Sequence, residues 1–468
     1  MTYVTVAWMF GAVWLASTSG APLTLFAEKL GASEFQFGLL AALPFLASLL
    51  SLPASVYTER SGQRKRVFFL GLYGQRLLWL PIAVMPVWIA WTWGITSGWA
   101  AAVFLWLVFF MHAGQAVGGP AGVGWVAGVV PGRSRGTYFS RRRQWGILTA
   151  IPASLFVGWL LDQHRDGTDL AVLGWCSLIF ICAMLFGVVD IVLFHFVPHV
   201  PRPKPAVPLR KMLVRPLHDR QFLRFGAFVG VLVFAVSFMG QFVTLYLIQK
   251  LHVSNTGIQL MLIAAPMLAQ LLVLPMWGRV VDRMGKKPAL AIASLGLVPV
   301  GLGWCFMNSG AVWLGYLLSV AGGALWVGVE VANLDLIMEF SEARGGDDAG
   351  GGAALVAGNT GIINIAGRLG GLISGLVATW LRDFSWNPGI AGLAPFTYFE
   401  VLFFISAMLR FIAVVAFLPF VHEPDAKPTV VALRFMTSNF YNNLHSFVSQ
   451  PIKLLRRRKD ESDQHGEI

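Results

Sequence analysis

Apolar stretches long enough to cross a lipid bilayer recur twelve times along this chain of 468 residues. A helix needs about 20 mostly apolar residues to span the hydrocarbon core. The stretches, which we call spans 1 to 12, cover 4–28, 34–57, 67–91, 99–129, 143–162, 171–197, 224–249, 257–278, 288–307, 312–340, 352–381 and 398–421. Only 12% of the residues are charged, against about 25% in an average soluble domain. The sequence therefore predicts an all-α membrane protein and excludes soluble enzymes and nucleic-acid binders.

A basic, proline-rich segment divides the spans into two sets of six. We expect an N-terminal six-helix bundle at 1–197, a cytoplasmic linker at 198–223, a C-terminal bundle at 224–421 and a tail at 422–468. On the side of the termini lie 28 Lys and Arg residues, whereas the opposite side carries only Lys29, Arg165, Lys250 and Arg382. Cytoplasmic loops accumulate basic residues, so both termini are predicted to be cytoplasmic in the cell (inner) membrane.

The two sets of spans also repeat each other. Pro44 and Pro53 in span 2 precede Pro266 and Pro275 in span 8 by the same 222 positions. Two six-helix units in one orientation, related by a pseudo-twofold axis along the membrane normal, are an architecture of secondary transporters. The repeat therefore predicts two pseudo-symmetric bundles (6+6).

A charged motif follows span 8. The loop reads Gly278-Arg279-Val280-Val281-Asp282-Arg283-Met284-Gly285-Lys286-Lys287, which fits the pattern G-x-x-x-D-R-x-G-[RK]-[RK] and resembles the major facilitator superfamily. The loop after span 2 keeps a departing copy with Glu59, Arg60, Gly62 and Arg64. The resemblance covers residues 1–421 and implies an alternating-access carrier with a central cavity between its bundles.

The chemistry of this motif suits a gate. Its glycines permit a sharp turn, and its basic residues can reach carboxylates or the carbonyl end of a neighbouring helix. The gating residues are then Gly278, Asp282, Arg283, Gly285 and Lys286, with Glu59, Arg60, Gly62 and Arg64 in the first half. The alternative is that these charges only set the topology.

Ionisable residues inside spans 10 and 11 are candidates for coupling, because charges in the bilayer are costly. Glu330 is predicted as a proton or cation site and Arg368 as an anchor for an anionic substrate, unless the two form a permanent ion pair. Asp335 is a further coupling candidate, closer to the cytoplasm. Possible substrate ligands on the same two spans are Asn333, Asn359 and Asn364.

Other polar residues are predicted to line the cavity from spans 1, 4 and 7. His112 is both a coupling and a substrate-binding candidate, with packing in the bundle as the alternative. The remaining substrate-binding candidates are Trp14, Ser17, Gln115, Gln241 and Tyr246. Hydroxyls and amides beside aromatic rings suit a neutral polar or sugar-like solute, although they also serve in helix packing.

Two charges in spans 3 and 6 receive the opposite interpretation. The resemblance places these spans at the back of the bundle, away from the cavity. Arg76 and Asp190 lie at similar depths from the cytoplasmic side. We therefore expect them to form a structural ion pair that does not touch substrate.

The tail carries a periodic apolar stripe. Leu433, Met436, Phe440, Leu444 and Phe447 recur at helical spacing, and four basic residues follow at 456–459. Such a segment is typical of an amphipathic helix at a membrane interface, with attraction to anionic lipid. A disordered tail is the alternative.

The sequence as a whole favours a secondary carrier for a small solute, coupled to protons and functional as a monomer. The competing hypothesis is a non-transporting assembly or chaperone protein on the same fold. The three cysteines lie in apolar runs without metal-ligand spacing, and no motif for a cofactor, a P-loop or an enzyme active site is recognised. The substrate and the direction of transport are left open.

Overall fold

The computed structural model describes residues 2–95, 98–129, 135–198, 220–342, 349–387, 395–421, 423 and 426–438. These ranges are almost wholly helical, and their only β-pairing is an isolated bridge between Trp386 and Phe396. Eleven of the described helices are long and apolar enough to cross a membrane, and the apolar helix Glu34–Leu50 is shorter. The predicted all-α fold with twelve spans is confirmed.

The helices of the first half begin and end close to the predicted spans. They are Thr2–Ser17 and Ala21–Lys29 (span 1), Glu34–Ala47 and Ser51–Ser61 (span 2), Arg64–Leu77 and Trp79–Trp93 (span 3), Trp99–Val129 (span 4), Arg135–Asp162 (span 5) and Asp169–Leu193 (span 6). A 3-10 turn at Ser48–Leu50 joins the two parts of span 2.

The second half follows the same plan. Its helices are Arg220–Gln249 (span 7), Asn255–Gln259 and Ala265–Met284 (span 8), Lys286–Gly303 (span 9), Val312–Glu342 (span 10), Ala349–Trp380 (span 11), Tyr398–Ile412 (span 12) and Thr429–Ser438 in the tail. Short π-helical segments interrupt span 8 at Leu260–Ala264 and extend span 12 at Ala413–Phe417. Most of the predicted linker, 199–219, lies outside the described residues.

The hydrophobic core differs between the two ends of the molecule. At the end away from the termini, which we call the opposite end, one continuous cluster combines buried side chains of both halves, including Phe26, Phe104, Phe180, Phe242 and Phe403. At the termini end the core is split, with Phe68 and Trp125 in a cluster of the first half and Phe225 and Trp277 in a cluster of the second. The two halves are therefore packed together at the opposite end and have separate cores at the termini end.

The tail helix packs on protein along the described part of its length. Ala432 is fully buried, and Phe435 and Met436 pack against the core of the second half. Leu433, the first residue of the predicted stripe, is half exposed. The other stripe residues, Phe440, Leu444 and Phe447, lie outside the described residues, so lipid contact by the tail stays a prediction.

Candidate functional site

A carboxylate closes the opposite end between spans 5 and 8. Asp162, the last residue of span 5, accepts hydrogen bonds from the backbone N–H groups of Asn255 (2.6 Å) and Thr256 (2.9 Å) and from the Thr256 hydroxyl (2.6 Å). An anionic oxygen at a helix N-terminus satisfies unpaired N–H groups and interacts favourably with the helix dipole. Arg165 adds a 2.9 Å hydrogen bond to the carbonyl of His252. These contacts join the two halves.

Spans 2 and 11 close the same end by backbone contact. A Cβ atom at Gly38 would lie 2.6 Å from the Gly375 nitrogen and 2.7 Å from the Gly371 oxygen. Those are backbone atoms, which cannot rotate aside as a flexible side chain could. Arg382 lies 3.4 Å (Nε to Oε1) from Glu34 beside this contact. The close approach of spans 2 and 11 therefore depends on the missing side chain of Gly38, and also on that of Gly375, where a Cβ atom would lie 2.9 Å from Gly38 Cα.

We predict that Gly38→Ala opens the opposite end. The added methyl group collides with backbone of span 11, so the closed arrangement becomes strained. Spin labels at the exposed positions Asp166 and Asp383, one in each half, should report a longer separation by double electron–electron resonance in a Cys182→Ser background. The remaining cysteines, Cys176 and Cys305, are buried.

Gly174→Ala is the matched control for this experiment. A Cβ atom at Gly174, in span 6, meets nothing within 4 Å, so the control makes the same chemical change without a collision. The separation should stay as in the unmodified protein. An unchanged separation in Gly38→Ala would contradict the steric role of Gly38.

Span 1 is broken where it faces span 8. The helix stops at Ser17 and restarts at Ala21, and Gly20 has a φ of 72°, a left-handed conformation suited to glycine. The fully buried Gln259 of span 8 donates from Nε2 to the carbonyls of Ala16 (3.5 Å) and Ser19 (3.4 Å). The side chain from the second half thus satisfies backbone acceptors released by the break.

The candidate residues of spans 1 and 7 fall into two groups. Gln241 accepts a 3.3 Å hydrogen bond from the Thr24 hydroxyl of span 1 and so contacts the other half. Ser17 is buried at the end of the first helix of span 1. Tyr246 is fully buried: its hydroxyl donates to the Met307 carbonyl (2.7 Å), and its ring packs against aromatic side chains of span 12. Its role in substrate binding stays a prediction.

Arg76 and Asp190 meet inside the first half. Arg76 Nη2 lies 2.8 Å from Asp190 Oδ2, and both side chains are buried. The Arg76 guanidinium also lies 3.5 Å from the centroid of the Trp14 ring and donates to Gln75 Oε1 (3.0 Å). Trp14, a candidate substrate ligand, therefore packs on this ion pair and is itself buried.

We expect a strong coupling energy between Arg76 and Asp190. Removing one partner leaves an uncompensated buried charge, which typically costs about 3–5 kcal/mol. Arg76→Ala and Asp190→Ala should each lower the melting temperature of the purified protein, and the double variant should lose less than the sum of the two. Strictly additive losses would show that the two side chains do not depend on each other.

The candidates of spans 10 and 11 are separated. Glu330 is exposed and accepts a 2.9 Å hydrogen bond from the Trp326 indole, one turn earlier on its own helix. Among the described residues no ion pair joins Glu330 to Arg368, so this conformation does not contain the ion pair considered as the alternative. Arg368 has two buried nitrogens, Nε and Nη2, and Asn333 has a buried Oδ1, none of them with a hydrogen-bond partner in the described part of the chain. Spans 10 and 11 therefore each carry buried polar atoms that form no hydrogen bond with the described residues.

The remaining candidates are placed as follows. His112 is half-buried and Gln115 exposed on span 4, and Asn364 is half-buried on span 11. Asp335 lies within electrostatic range of Asp282 and Lys286 at the termini end, where Asp282 and Arg283 are exposed. The side chains of Glu59, Arg60 and Asn359 lie outside what the structure describes.

Two of the three glycines in the gating motif lie in turns that favour glycine. Gly62 and Gly285 have φ values of 69° and 103°, so both loops turn through backbone conformations that favour glycine. Gly62 ends the second helix of span 2, and Arg64 begins span 3. A Cβ atom at Gly278 meets nothing within 4 Å, so close packing does not explain that glycine.

The motif after span 8 is held by the tail. Glu423 accepts hydrogen bonds from the backbone N–H groups of Lys286 (2.9 Å) and Lys287 (2.6 Å), and lies 3.7 Å from the Lys286 ammonium. Lys287 Nζ donates to the Pro419 carbonyl at the end of span 12 (3.1 Å), and Arg283 lies over the Phe435 ring. Glu423 thus caps the first turn of span 9 and ties the tail to the motif.

We predict that Glu423→Ala releases the tail. Replacing a side chain that caps a helix N-terminus by alanine costs about 0.5–2 kcal/mol, so hydrogen exchange of Thr429–Ser438 should accelerate by about tenfold. Lys427→Ala is the control, because Lys427 contacts the Met284 carbonyl through its backbone N–H. Equal exchange in Glu423→Ala and the unmodified protein would show that the cap does not hold the tail.

Some contacts carry no sequence signal. The buried Arg410 of span 12 donates to the Leu297 carbonyl of span 9 (2.9 Å) and to the Met239 sulfur of span 7 (2.8 Å). Backbone carbonyls and thioethers occur everywhere in apolar helices, so only the three-dimensional packing identifies them as partners. Asp162 and Gln259 were missed for a similar reason, since each acts on backbone groups of the other half.

Comparisons with known proteins agree with this architecture. The sequence matches the family model of the Major Facilitator Superfamily over residues 3–374. No curated protein matches it significantly. Solved structures with the same fold include a mutant of the nucleoside transporter NupG (13% identity, TM-score 0.63, covering 90% of this chain and 99% of that one). They also include a partially occluded inward open form of the xylose transporter XylE from E. coli (15%, 0.61, 91% and 99%) and an inward-facing bacterial homologue of the iron transporter ferroportin (13%, 0.62, 90% and 98%).

The match over most of the chain and the twelve-span fold define a multi-pass membrane protein built for transport rather than an enzyme. The chain belongs to the Major Facilitator Superfamily. At 13–15% identity the solved structures share its fold alone.

Proposed function

We propose that this protein is a secondary active transporter that moves a small solute across the cell membrane by alternating access, driven by protons. The observation that carries the proposal is the distribution of the core, which is continuous between the halves at the opposite end and split at the termini end. Alternating access needs two halves that close around a site at one end while they separate at the other. Buried polar atoms of Asn333 and Arg368 that have no hydrogen-bond partner among the described residues lie on spans of the second half and are available to bind a polar solute.

The sidedness of the conformation follows from the charges. The termini side holds 28 Lys and Arg residues against four on the opposite side, and such an excess marks the cytoplasm. The split end then faces the cytoplasm and the conformation is inward-facing. Two of the similar structures are in inward-open and inward-facing states, which supports this assignment.

Glu330 is the first choice for proton coupling. It is an exposed carboxylate within span 10, and its described partner is a neutral indole, that of Trp326. A carboxylate without a permanent cationic partner can gain and lose a proton as the cavity changes sides. His112 and Asp335 are the next candidates, because both are ionisable and half-buried within spans.

We predict that Glu330→Gln uncouples transport. In proteoliposomes with an imposed pH gradient, the unmodified protein should accumulate solute several-fold over the external concentration, and the variant should reach equilibrium without accumulation. Exchange of labelled for unlabelled solute should persist, because the amide keeps the size and hydrogen-bonding capacity of the side chain.

Asp383→Asn is the control for this experiment. Asp383 is exposed and follows span 11, so the change removes a carboxylate outside the spans. This variant should accumulate solute normally. Accumulation by Glu330→Gln at the unmodified level would move the coupling site to His112 or Asp335. Absence of uptake across sugars, nucleosides, amino acids, organic anions and dyes would favour a non-transporting assembly protein.

A further inference from the structure

A cavity of about 460 Å³ lies between spans 1, 5 and 8, where the two halves face each other. It is about the size of a pocket for a small organic molecule. Most of its lining is apolar, from Ala12, Leu15, Ile147, Ala150 and Met267, and its polar groups come from Trp8, Arg142, Arg143 and Gln270.

Two arginines give this cavity a positive wall. Arg142 stacks on the Trp8 ring at 4.7 Å, and its buried Nε has no hydrogen-bond partner among the described residues. Arg143 donates to Gln270 Oε1 of the second half (2.9 Å). The carboxylate that influences Arg142 most directly is that of Asp190, which already forms an ion pair with Arg76. Within the described part of the chain, neither Arg142 nor Arg143 forms an ion pair with a carboxylate.

Close packing fixes the aromatic side of the cavity. A Cβ atom at Gly146, in span 5, would lie 2.7 Å from Trp8 Cδ1. Only a glycine there lets the indole lie against span 5, where it supports the Arg142 guanidinium. A planar cation held on an aromatic ring and lacking a hydrogen-bond acceptor is well arranged to receive a carboxylate or sulfonate.

We infer that this cavity binds an organic anion with an apolar body, whose acidic group pairs with Arg142 and Arg143 while the body packs against Ala12, Ile147 and Met267. The claim that this anion is transported rests on the proposed function. The claim that the cavity binds it does not depend on transport. Because Trp8 and Arg142 belong to one half and Gln270 and Met267 to the other, the ligand touches both halves. The contacts of a ligand held this way change when the two halves separate.

The test is calorimetric titration of the purified full-length protein with 4-phenylbutyrate, with naphthalene-2-sulfonate and with the neutral amide 4-phenylbutanamide. Both anions should bind at least tenfold more tightly than the amide. Arg142→Gln should weaken anion binding by tenfold or more and leave the amide unchanged. Arg143→Gln, at an exposed side chain, should weaken it less and provides the same test if Arg142→Gln fails to fold.

Arg141→Gln is the matched control, because Arg141 is exposed and does not line the cavity. It removes the same charge one position away and should leave the anion affinity within twofold. Equal affinity for acid and amide, no binding of either anion, or equal weakening by Arg141→Gln and Arg142→Gln would overturn the inference.

The acidic group could come from a free solute or from an anionic lipid headgroup, and nanodiscs distinguish the two. If a headgroup occupies the cavity, phosphatidylglycerol should weaken 4-phenylbutyrate binding relative to phosphatidylcholine in the unmodified protein and much less in Arg142→Gln. If a free solute occupies it, affinity should be the same in both bilayers. Either result supports the anion site.

Transport is measured separately, by counterflow of labelled 4-phenylbutyrate in proteoliposomes. Binding without counterflow of this or any other solute would overturn the transport proposal and leave the anion site standing. Counterflow of a different solute without anion binding would overturn the anion site and leave the transport proposal standing.

Discussion

The arrangement of the two halves depends on how the opposite end is closed. Asp162 of the first half caps the helix that begins at Asn255 in the second, so the contact is charged, directional and made to backbone. On the other side of the molecule, Gly38 lets span 2 touch the backbone of span 11. Neither contact is covalent, and both lie at the end where one continuous apolar cluster packs the two halves together.

The break in span 1 is linked to this closure through Gln259. Gln259 lies four residues after Asn255, the residue that Asp162 caps, and its amide satisfies the carbonyls of Ala16 and Ser19. Separation of spans 5 and 8 at the opposite end would withdraw Gln259 as well, because both residues lie on one short helix. The acceptors freed by the break would then need water or another donor. Opening of the end and hydration of the span 1 break are therefore coupled.

The sequence predicts the fold of this protein better than its site. Apolar length, basic loops and the repeated prolines indicate twelve spans in two sets, since the bilayer leaves few alternatives for a spanning chain. Residue type alone, however, does not tell which side of a helix faces a neighbour: Tyr246 resembles a cavity residue and is buried among aromatic rings. Glu330 and Arg368 could meet by spacing, yet Glu330 turns to Trp326 on its own helix.

The arginines inside the spans show how fixed and changing contacts differ. Arg76 pairs with Asp190 within the first half. Arg410 donates to the Leu297 carbonyl and the Met239 sulfur within the second half. By contrast, the guanidinium groups of Arg142 and Arg368 donate no hydrogen bond to the described residues. A buried Nε without a hydrogen-bond partner is common to all four arginines, so the difference lies in the hydrogen bonds that the other guanidinium nitrogens make.

A buried donor without an acceptor costs free energy. Arg142 and Arg368 lie on spans that contact the other half: span 5 against span 8 and span 11 against span 2. Within one half, a permanent partner stabilises the bundle in every conformation. At the surface between the halves, a permanent partner would hold the halves in one conformation. In the proposed transport cycle, an arginine that pairs with no described residue can bind a group that arrives and leaves.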